Sequence, residues 1–453
     1  MFEKFRTFHF VGVGGVGMSG IAEILLRQGY HVSGSDQNCS ELVKRLQQLG
    51  ARIEIGHRES NLGQAQAVVY SSAIPPSNPE LEGAKRLGLP LVHRAEMLAE
   101  LMRFKKGITI TGTHGKTTTT SMVAAILVQA SLDPTVVVGA RVPALDGNAR
   151  LGAGDYFVAE ADESDRSFLR LHPTYSVITN IDCDHMDEYE DLNDLEETFL
   201  QHMRTIPFYG KLVVCSDDPN LLRVMRNVHS PVITYGLKSS AEFCADNIRH
   251  RGFQTDYRVL RSGEPVGEIR LSLAGHHNIL NSLGATALGV TLDIPFDAIQ
   301  QSLAQFAGPE RRLERKGEKH GILVLDDYGH HPAEIKASLE ACAQFERRIL
   351  LVFQPHRFTR TLHLREALAH SFGAADRLYL LDIYAAGEEP IEGVTSEQLA
   401  ELIAEHRQVR YIASREEMSE VLAVESKPGD LVLTMGAGDV WKIGETFLEE
   451  EID

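Results

Sequence analysis

Lys116 is the residue around which chemistry can be organised. It closes the pattern Gly112-x-x-Gly115-Lys116-Thr117, and the apolar residues 108–111 lead into it. A strand, a glycine turn and a helix start in that order aim backbone N–H groups and the positive end of a helix dipole at one spot. Lysine adds a mobile cation, and Thr117 adds a hydroxyl able to hold magnesium. Residues Gly112, Thr113, His114, Gly115, Lys116, Thr117 and Thr118 therefore read as a cradle for a nucleotide triphosphate. The loop is shorter than the usual P-loop, which would carry glycine where Ile110 stands.

Carboxylates and amides follow it. Glu160 ends a strand and opens Glu160-Ala-Asp-Glu-Ser-Asp165, where a magnesium ligand is expected beside a phosphate loop. His185, in Thr179-Asn-Ile-Asp-Cys-Asp-His185, ends the next strand and could ligate a metal or contact phosphate. Asn278 and Asn281 lie three apart on a helix and share a face, and an amide can pair with the edge of adenine. Arg311 and Arg312 stand in the loop 306–313, where an arginine can close on developing phosphate charge. Two further clusters, Asp326-Asp327-Tyr-Gly-His330-His331 and His356-Arg357-Phe358-Thr-Arg360, end successive strands. Basic residues at strand ends in an acidic chain point to a small anionic substrate.

A second glycine turn, Gly12-Val-Gly14-Gly15-Val-Gly17, sits near the N-terminus, with Asp36 near the end of the next strand. Such a fingerprint docks a diphosphate on a helix start. Two ligands fit it: NAD, which would make a dehydrogenase, or a nucleotide-sugar diphosphate.

These residues need strand ends to hold them, and the sequence alternates strands and helices nearly throughout. That predicts an α/β protein with mostly parallel sheets. Strands are expected at 7–13, 31–35, 67–71, 156–160, 176–179, 211–215, 322–325, 348–353, 377–381, 409–412 and 431–435. A small antiparallel insertion is expected between 241 and 273. The units run 1–95, 96–306 and 307–453. A net charge of −18 over 453 residues argues against nucleic acid and anionic membranes as partners. No apolar run reaches a membrane-spanning length, and the five scattered cysteines read as reduced cytoplasmic thiols, each more readily a buried small hydrophobe than a nucleophile.

Taken together the motifs resemble the Mur ligases of peptidoglycan assembly, over essentially the whole chain. The carriers are the first glycine turn, Ser71-Ser-Ala-Ile74, the Lys116 loop, Glu160–Asp165, His277-Asn-Ile-Leu-Asn281, Asp327-Tyr-Gly-His-His-Pro332 and Pro355-His-Arg-Phe-Thr-Arg-Thr361. The resemblance implies three domains: a Rossmann-like UDP-sugar binder, a central P-loop-type ATPase and a C-terminal Rossmann-like domain. It implies ATP and Mg2+ as cofactors, UDP-N-acetylmuramic acid and L-alanine as substrates, and an acyl-phosphate intermediate. It carries Gly14, Gly15, Asp36 and Ser71 to the UDP-sugar site, Asn278 to adenine and Asp327 to the ATP ribose. Thr117, Glu160 and His185 would meet the metal, and Arg312 the phosphates. His331, Arg357 and Arg360 would handle the alanine carboxylate and the intermediate. Phe358 replaces a tyrosine common in the family, so no hydroxyl role falls there. A tripeptide-recycling relative acts on the same sugar nucleotide, but its glycine turn is of another type. The chain is expected to work in the cytoplasm as a monomer or weak homodimer.

Overall fold

A computed structural model describes residue 2 and residues 4–184 and 188–449. Among these residues the strands form three sheets. The first holds β1 (Thr7–Val11), β2 (His31–Asp36), β3 (Arg52–Ile55), β4 (Ala67–Tyr70) and β5 (Leu91–His93), in the order β3-β2-β1-β4-β5 and all parallel. Its helices are α1 (Val16–Arg27), α2 (Glu41–Gln48), α3 (Pro79–Leu87) and α4 (Arg94–Met102).

The second sheet has ten strands. They are β6 (Lys106–Thr111), β7 (Thr135–Val142), β8 (Gly147–Arg150), β9 (Tyr156–Glu160), β10 (Tyr175–Ile178), β11 (Lys211–Cys215), β12 (Val232–Gly236), β13 (Phe243–Arg251), β14 (Gln254–Arg261) and β15 (Glu264–Leu271). The order is β15-β14-β13-β12-β11-β10-β6-β9-β7-β8. With it come α5 (Lys116–Gln129), α6 (Leu192–Arg204), α7 (Pro219–Val224), α8 (His276–Thr291) and α9 (Phe296–Gln305). Helix α5 is buried nearly all round although its first turns are threonines. Its hydroxyls bond back along the helix: Thr120 Oγ1 to Lys116 O at 2.8 Å and Ser121 Oγ to Thr117 O at 2.7 Å.

The third sheet holds β16 (Glu314–Lys319), β17 (Ile322–Asp327), β18 (Ile349–Phe353), β19 (Arg377–Leu380), β20 (Arg410–Tyr411) and β21 (Leu431–Met435), in the order β16-β17-β21-β18-β19-β20. Its helices are α10 (Pro332–Ala343), α11 (Phe358–Ala369), α12 (Ser396–Ala404), α13 (Arg415–Glu425) and α14 (Trp441–Glu449). Strands β17, β18 and β21 are buried at every position because both faces are covered. Leu323, Leu325, Leu351, Phe353, Leu431 and Leu433 fill one core, while their chain neighbours Val324, Leu350, Val352 and Val432 fill the other.

The chain divides into two compact units. The first is Met1–Asn247, Tyr257–Ile269 and Leu280–Ala307; the second is Ile248–Asp256, Arg270–Ile279 and Gly308–Asp453. Within the first unit, α1 packs against β7 and β8. Buried Asn148 of β8 donates to Val16 O at 2.6 Å and to Ser19 Oγ at 3.1 Å.

The sequence reading passed over β3, β5, the β7–β8 hairpin, β12 and β16. Two of the five cysteines, Cys39 and Cys183, are exposed rather than buried. Among the described residues no helix is long and apolar enough to cross a membrane.

Candidate active site

Strand β6 is buried beyond Lys106 because it lies centrally in its sheet, and its carboxyl end delivers the chain into Gly112 at φ 132° and Gly115 at φ 81°. Both angles favour glycine, and space demands it as well. A Cβ at Gly112 would overlap Thr179 Oγ1, and one at Gly115 would crowd the Asn281 amide. The exit of neighbouring β10 clamps the loop from the side. Thr113 N–H donates to Asn180 O at 3.1 Å and His114 N–H to Asn180 Oδ1 at 2.8 Å. Thr179 Oγ1 and Asn180 Nδ2 donate to His114 O at 2.6 and 3.0 Å. The His114 ring meets Asp182 at 3.1 Å. Residues 179–182 thus scaffold the loop, a role the sequence reading did not give them. His185 lies outside the described residues.

Lys116 Nζ reaches both Glu163 oxygens, at 2.7 and 2.8 Å, and the Gly112 carbonyl at 2.8 Å. Asp162 lies 4.0 Å away. Thr117 Oγ1 donates to Glu160 Oε1 at 3.1 Å, and Gly139 N–H donates to Glu160 Oε2 at 2.8 Å. Burial pushes the carboxyls of Glu160 and Glu163 up, against the pull of Lys116. Burial alone would lower Lys116, but Glu163 and Asp162 together hold its ammonium charged. Three carboxylates thus gather around one lysine, with Glu163 buried and Asp162 partly exposed.

At the other glycine turn of this unit, Gly12 adopts φ 75° and its N–H, with that of Val13, donates to Ser35 O at 2.9 and 3.0 Å. Gly15 is the N-cap of α1 and supplies no side chain, so the helix start is left open. Asp36 spends both oxygens on backbone: Gly14 N–H at 2.8 Å and Asn38 N–H at 3.1 Å. A nicotinamide dehydrogenase would need such an acid for ribose. Ser71 O accepts from Ile74 N–H at 3.0 Å, turning the loop after β4. Next to it, Ser72 Oγ donates to Asp165 Oδ2 at 2.8 Å, tying this loop to the acidic segment after β9.

The second unit gathers Asn278, Arg312, Asp327, His331, Arg357 and Arg360. Asp327 ends β17 and accepts from Leu313 N–H and Gly329 N–H, each at 2.8 Å. Burial lifts its pKa to about 6 against the attraction of Arg312. Arg311 is a clip rather than a mobile cation. It reaches Asp326 at 2.9 Å and the carbonyls of Gly438 and Gly436 at 3.0 and 2.5 Å. Arg312 lies over the Tyr328 ring at 5.2 Å and 3.6 Å from Glu334. His331 caps α10: its Nδ1 accepts from Ala333 N–H at 3.3 Å, and Glu334 returns the bond to His331 N–H at 3.3 Å. Asn278 Nδ2 donates to Ala274 O at 2.8 Å.

Arg357 precedes α11 at φ 66°, ψ 140°, a conformation costly for a side chain of its kind. Arg360 Nη1 lies 3.2 Å from His356 Nδ1. Burial, with His330 and the neighbouring arginines, lowers His356 to about 3, so its ring is a neutral acceptor.

Known proteins resemble this chain over its whole length. Residues 7–106 match the model of the Mur ligase family catalytic domain, 110–289 the Mur ligase middle domain and 311–438 the Mur ligase glutamate ligase domain. A UDP-N-acetylmuramate–L-alanine ligase of a Geobacter species is 51% identical over 452 residues, covering 99% of this chain and 98% of that protein. The protein of that name from Geotalea uraniireducens is 50% identical over 453 residues, 99% of each. The crystal structure of the UDP-N-acetylmuramate-alanine ligase MurC from Thermotoga maritima aligns with a TM-score of 0.84 at 28% identity, covering 98% of both chains. With three domain models in order and full-length relatives at half identity, the chain belongs to the Mur ligase family.

Proposed function

We propose that this protein joins L-alanine to the lactyl carboxylate of UDP-N-acetylmuramic acid, using ATP and forming ADP and phosphate. The observation that carries the reading is one compact unit holding two glycine turns. One has an open helix start, and the other has Lys116 paired with buried Glu163. The full-length relatives of that activity support it. We assign the sugar nucleotide to residues 1–95, ATP to 96–306 and closure over the site to 307–453.

A carboxylate is a poor electrophile, and phosphorylation gives it a leaving group. The lactyl carboxylate attacks the γ-phosphorus of ATP, and the amine of L-alanine then displaces phosphate from the acyl carbon. Lys116 leaves Glu163 to meet the phosphate charge as it spreads. The backbone of Gly112–Thr118 cradles the phosphates, Asn278 takes adenine and Asp327 the ribose. Gly14, Gly15, Asp36 and Ser71 border the sugar nucleotide. Arg312 adds charge at the phosphates, while His331, Arg357 and Arg360 orient the alanine carboxylate and the intermediate.

The donors at Thr117 and Glu160 are hard oxygens 3.1 Å apart, which fit magnesium. These two residues, with His185, would hold it, and it would neutralise charge on the phosphates. A nicotinamide enzyme would leave Lys116, Glu160 and Asn278 without a shared purpose.

Phosphate release from Mg-ATP with UDP-N-acetylmuramic acid, with and without L-alanine, tests the reading. The expected result is release requiring both, with a product mass of sugar nucleotide plus alanine less water. Release with a cell-wall tripeptide in place of alanine would move the activity to recycling. Release requiring neither would leave only an ATPase.

A further inference from the structure

A fully buried carboxylate, Glu80, lies beneath the first glycine turn with no part in the chemistry above. It sits in the first turn of α3, where the helix start favours an anion. Ser35 Oγ donates to its Oε2 at 2.5 Å, and Asn61 Nδ2 and Arg58 N–H donate to its Oε1 at 2.6 and 3.1 Å. Buried His9 lies 3.3 Å from Oε2. Bonds from His9, Ser35 and Asn61 hold the acid at about 2, against the burial that would raise it.

The partners come from separate elements. Ser35 is the next-to-last residue of β2, and its carbonyl is the dock for the Gly12 and Val13 N–H groups. Asn61 belongs to the short 3-10 turn Glu59–Leu62 in the loop after β3 and also holds Gly56 O at 2.9 Å. One carboxylate therefore pins the seat of the glycine turn and the loop facing it, both at carboxyl ends of parallel strands where ligands bind. Because Ser35 gives its proton to Glu80, its oxygen accepts from His57 Nδ1, 2.8 Å away. That chain fixes the proton of His57 on Nδ1, and its Nε2 has no protein partner among the described residues. An apolar side chain would fill the same space without the desolvation cost of a buried ion. The charge is retained because several donors need one acceptor.

We propose that Glu80 is a positioning residue for sugar-nucleotide binding, acting through Ser35, His57 and the loop carrying Asn61. The proposal rests on the function assigned above. The test is steady-state kinetics of full-length Glu80→Gln with each substrate varied in turn. Expected is a rise of about ten-fold in KM for UDP-N-acetylmuramic acid, the scale of one charge-assisted hydrogen bond. The kcat and the KM values for ATP and L-alanine should stay within about two-fold. Unchanged KM for the sugar nucleotide, or an equal loss with all three substrates, would overturn it. Should Glu80→Gln fail to fold, Asn61→Ala removes only the loop arm. A selective rise of several-fold in the same KM supports the proposal, and no rise overturns it. An inert wild-type protein would instead overturn the assigned function, and the proposal with it.

Discussion

The two glycine turns of the first unit have the same local design and different electrical equipment. Each leaves a parallel strand through a positive-φ glycine and starts a helix. Around Gly12–Gly17 the acid bonded to the turn, Asp36 of β2, is spent on the amides of Gly14 and Asn38, and no lysine stands at the helix start. Around Gly112–Thr117, Lys116 is ringed by Glu160, Asp162 and Glu163. A turn that only holds a stable diphosphate needs fixed dipoles. A turn where charge moves during reaction needs a mobile cation and carboxylates to organise metal.

Breaking the second turn should therefore cost turnover. Lys116→Ala is expected to lower kcat by at least about 10³-fold with an unchanged circular dichroism spectrum, since a phosphate contact made in the transition state is lost. Near-normal kcat would remove the loop from the chemistry. Glu160→Gln should cost about 10²-fold and raise the magnesium concentration needed for half-maximal rate. A variant with an unaltered magnesium titration would take Glu160 out of the metal site. Breaking the first turn should cost affinity instead. A Cβ at Gly14 would lie 2.9 Å from Asp36 Oδ2 and 3.0 Å from Val43 Cγ2. Gly14→Ala is expected to raise KM for the sugar nucleotide about ten-fold with little change in kcat. Equal losses in kcat for Gly14→Ala and Lys116→Ala would erase the contrast.

The smallest effect concerns stability. His202 is fully buried, stacks on Phe168 at 4.8 Å and lies 3.2 Å from Ser176 Oγ in β10, the strand whose exit clamps the phosphate loop. Burial lowers its pKa from 6.5 to about 4. The unfolded chain then binds the proton first, so this contribution to stability is full above about 6.5 and is lost as pH falls toward 4. Thermal unfolding across that window should show Tm falling with pH, and less steeply in His202→Gln. Parallel curves for the two proteins would discard the assignment.

Local features were legible in the sequence. Glycine at 112 and 115, Lys116 and Thr117 declare the loop because its geometry is set within six residues. The parallel three-sheet plan followed from alternating strand and helix patterns. What was hidden depends on distant pairing. Glu163 meets Lys116 across 47 positions, and the carbonyls that pin Arg311 lie 125 and 127 positions away. Periodicity says nothing of either. Strand β16, Glu-Arg-Lys-Gly-Glu-Lys, has no apolar alternation at all. It is ordered by antiparallel pairing with β17, and its charges suit a sheet edge. Glu80 was passed over because an acid in a helix's first turn reads as an ordinary surface residue.

In the proposed reaction the lactyl carboxylate is phosphorylated at the Lys116 loop before the amine attacks. The direct measurement places heavy oxygen isotope in the carboxylate of UDP-N-acetylmuramic acid and follows it by mass spectrometry during turnover with L-alanine. The account predicts one labelled oxygen in the inorganic phosphate and one in the amide product. Unlabelled phosphate alongside normal product would contradict it.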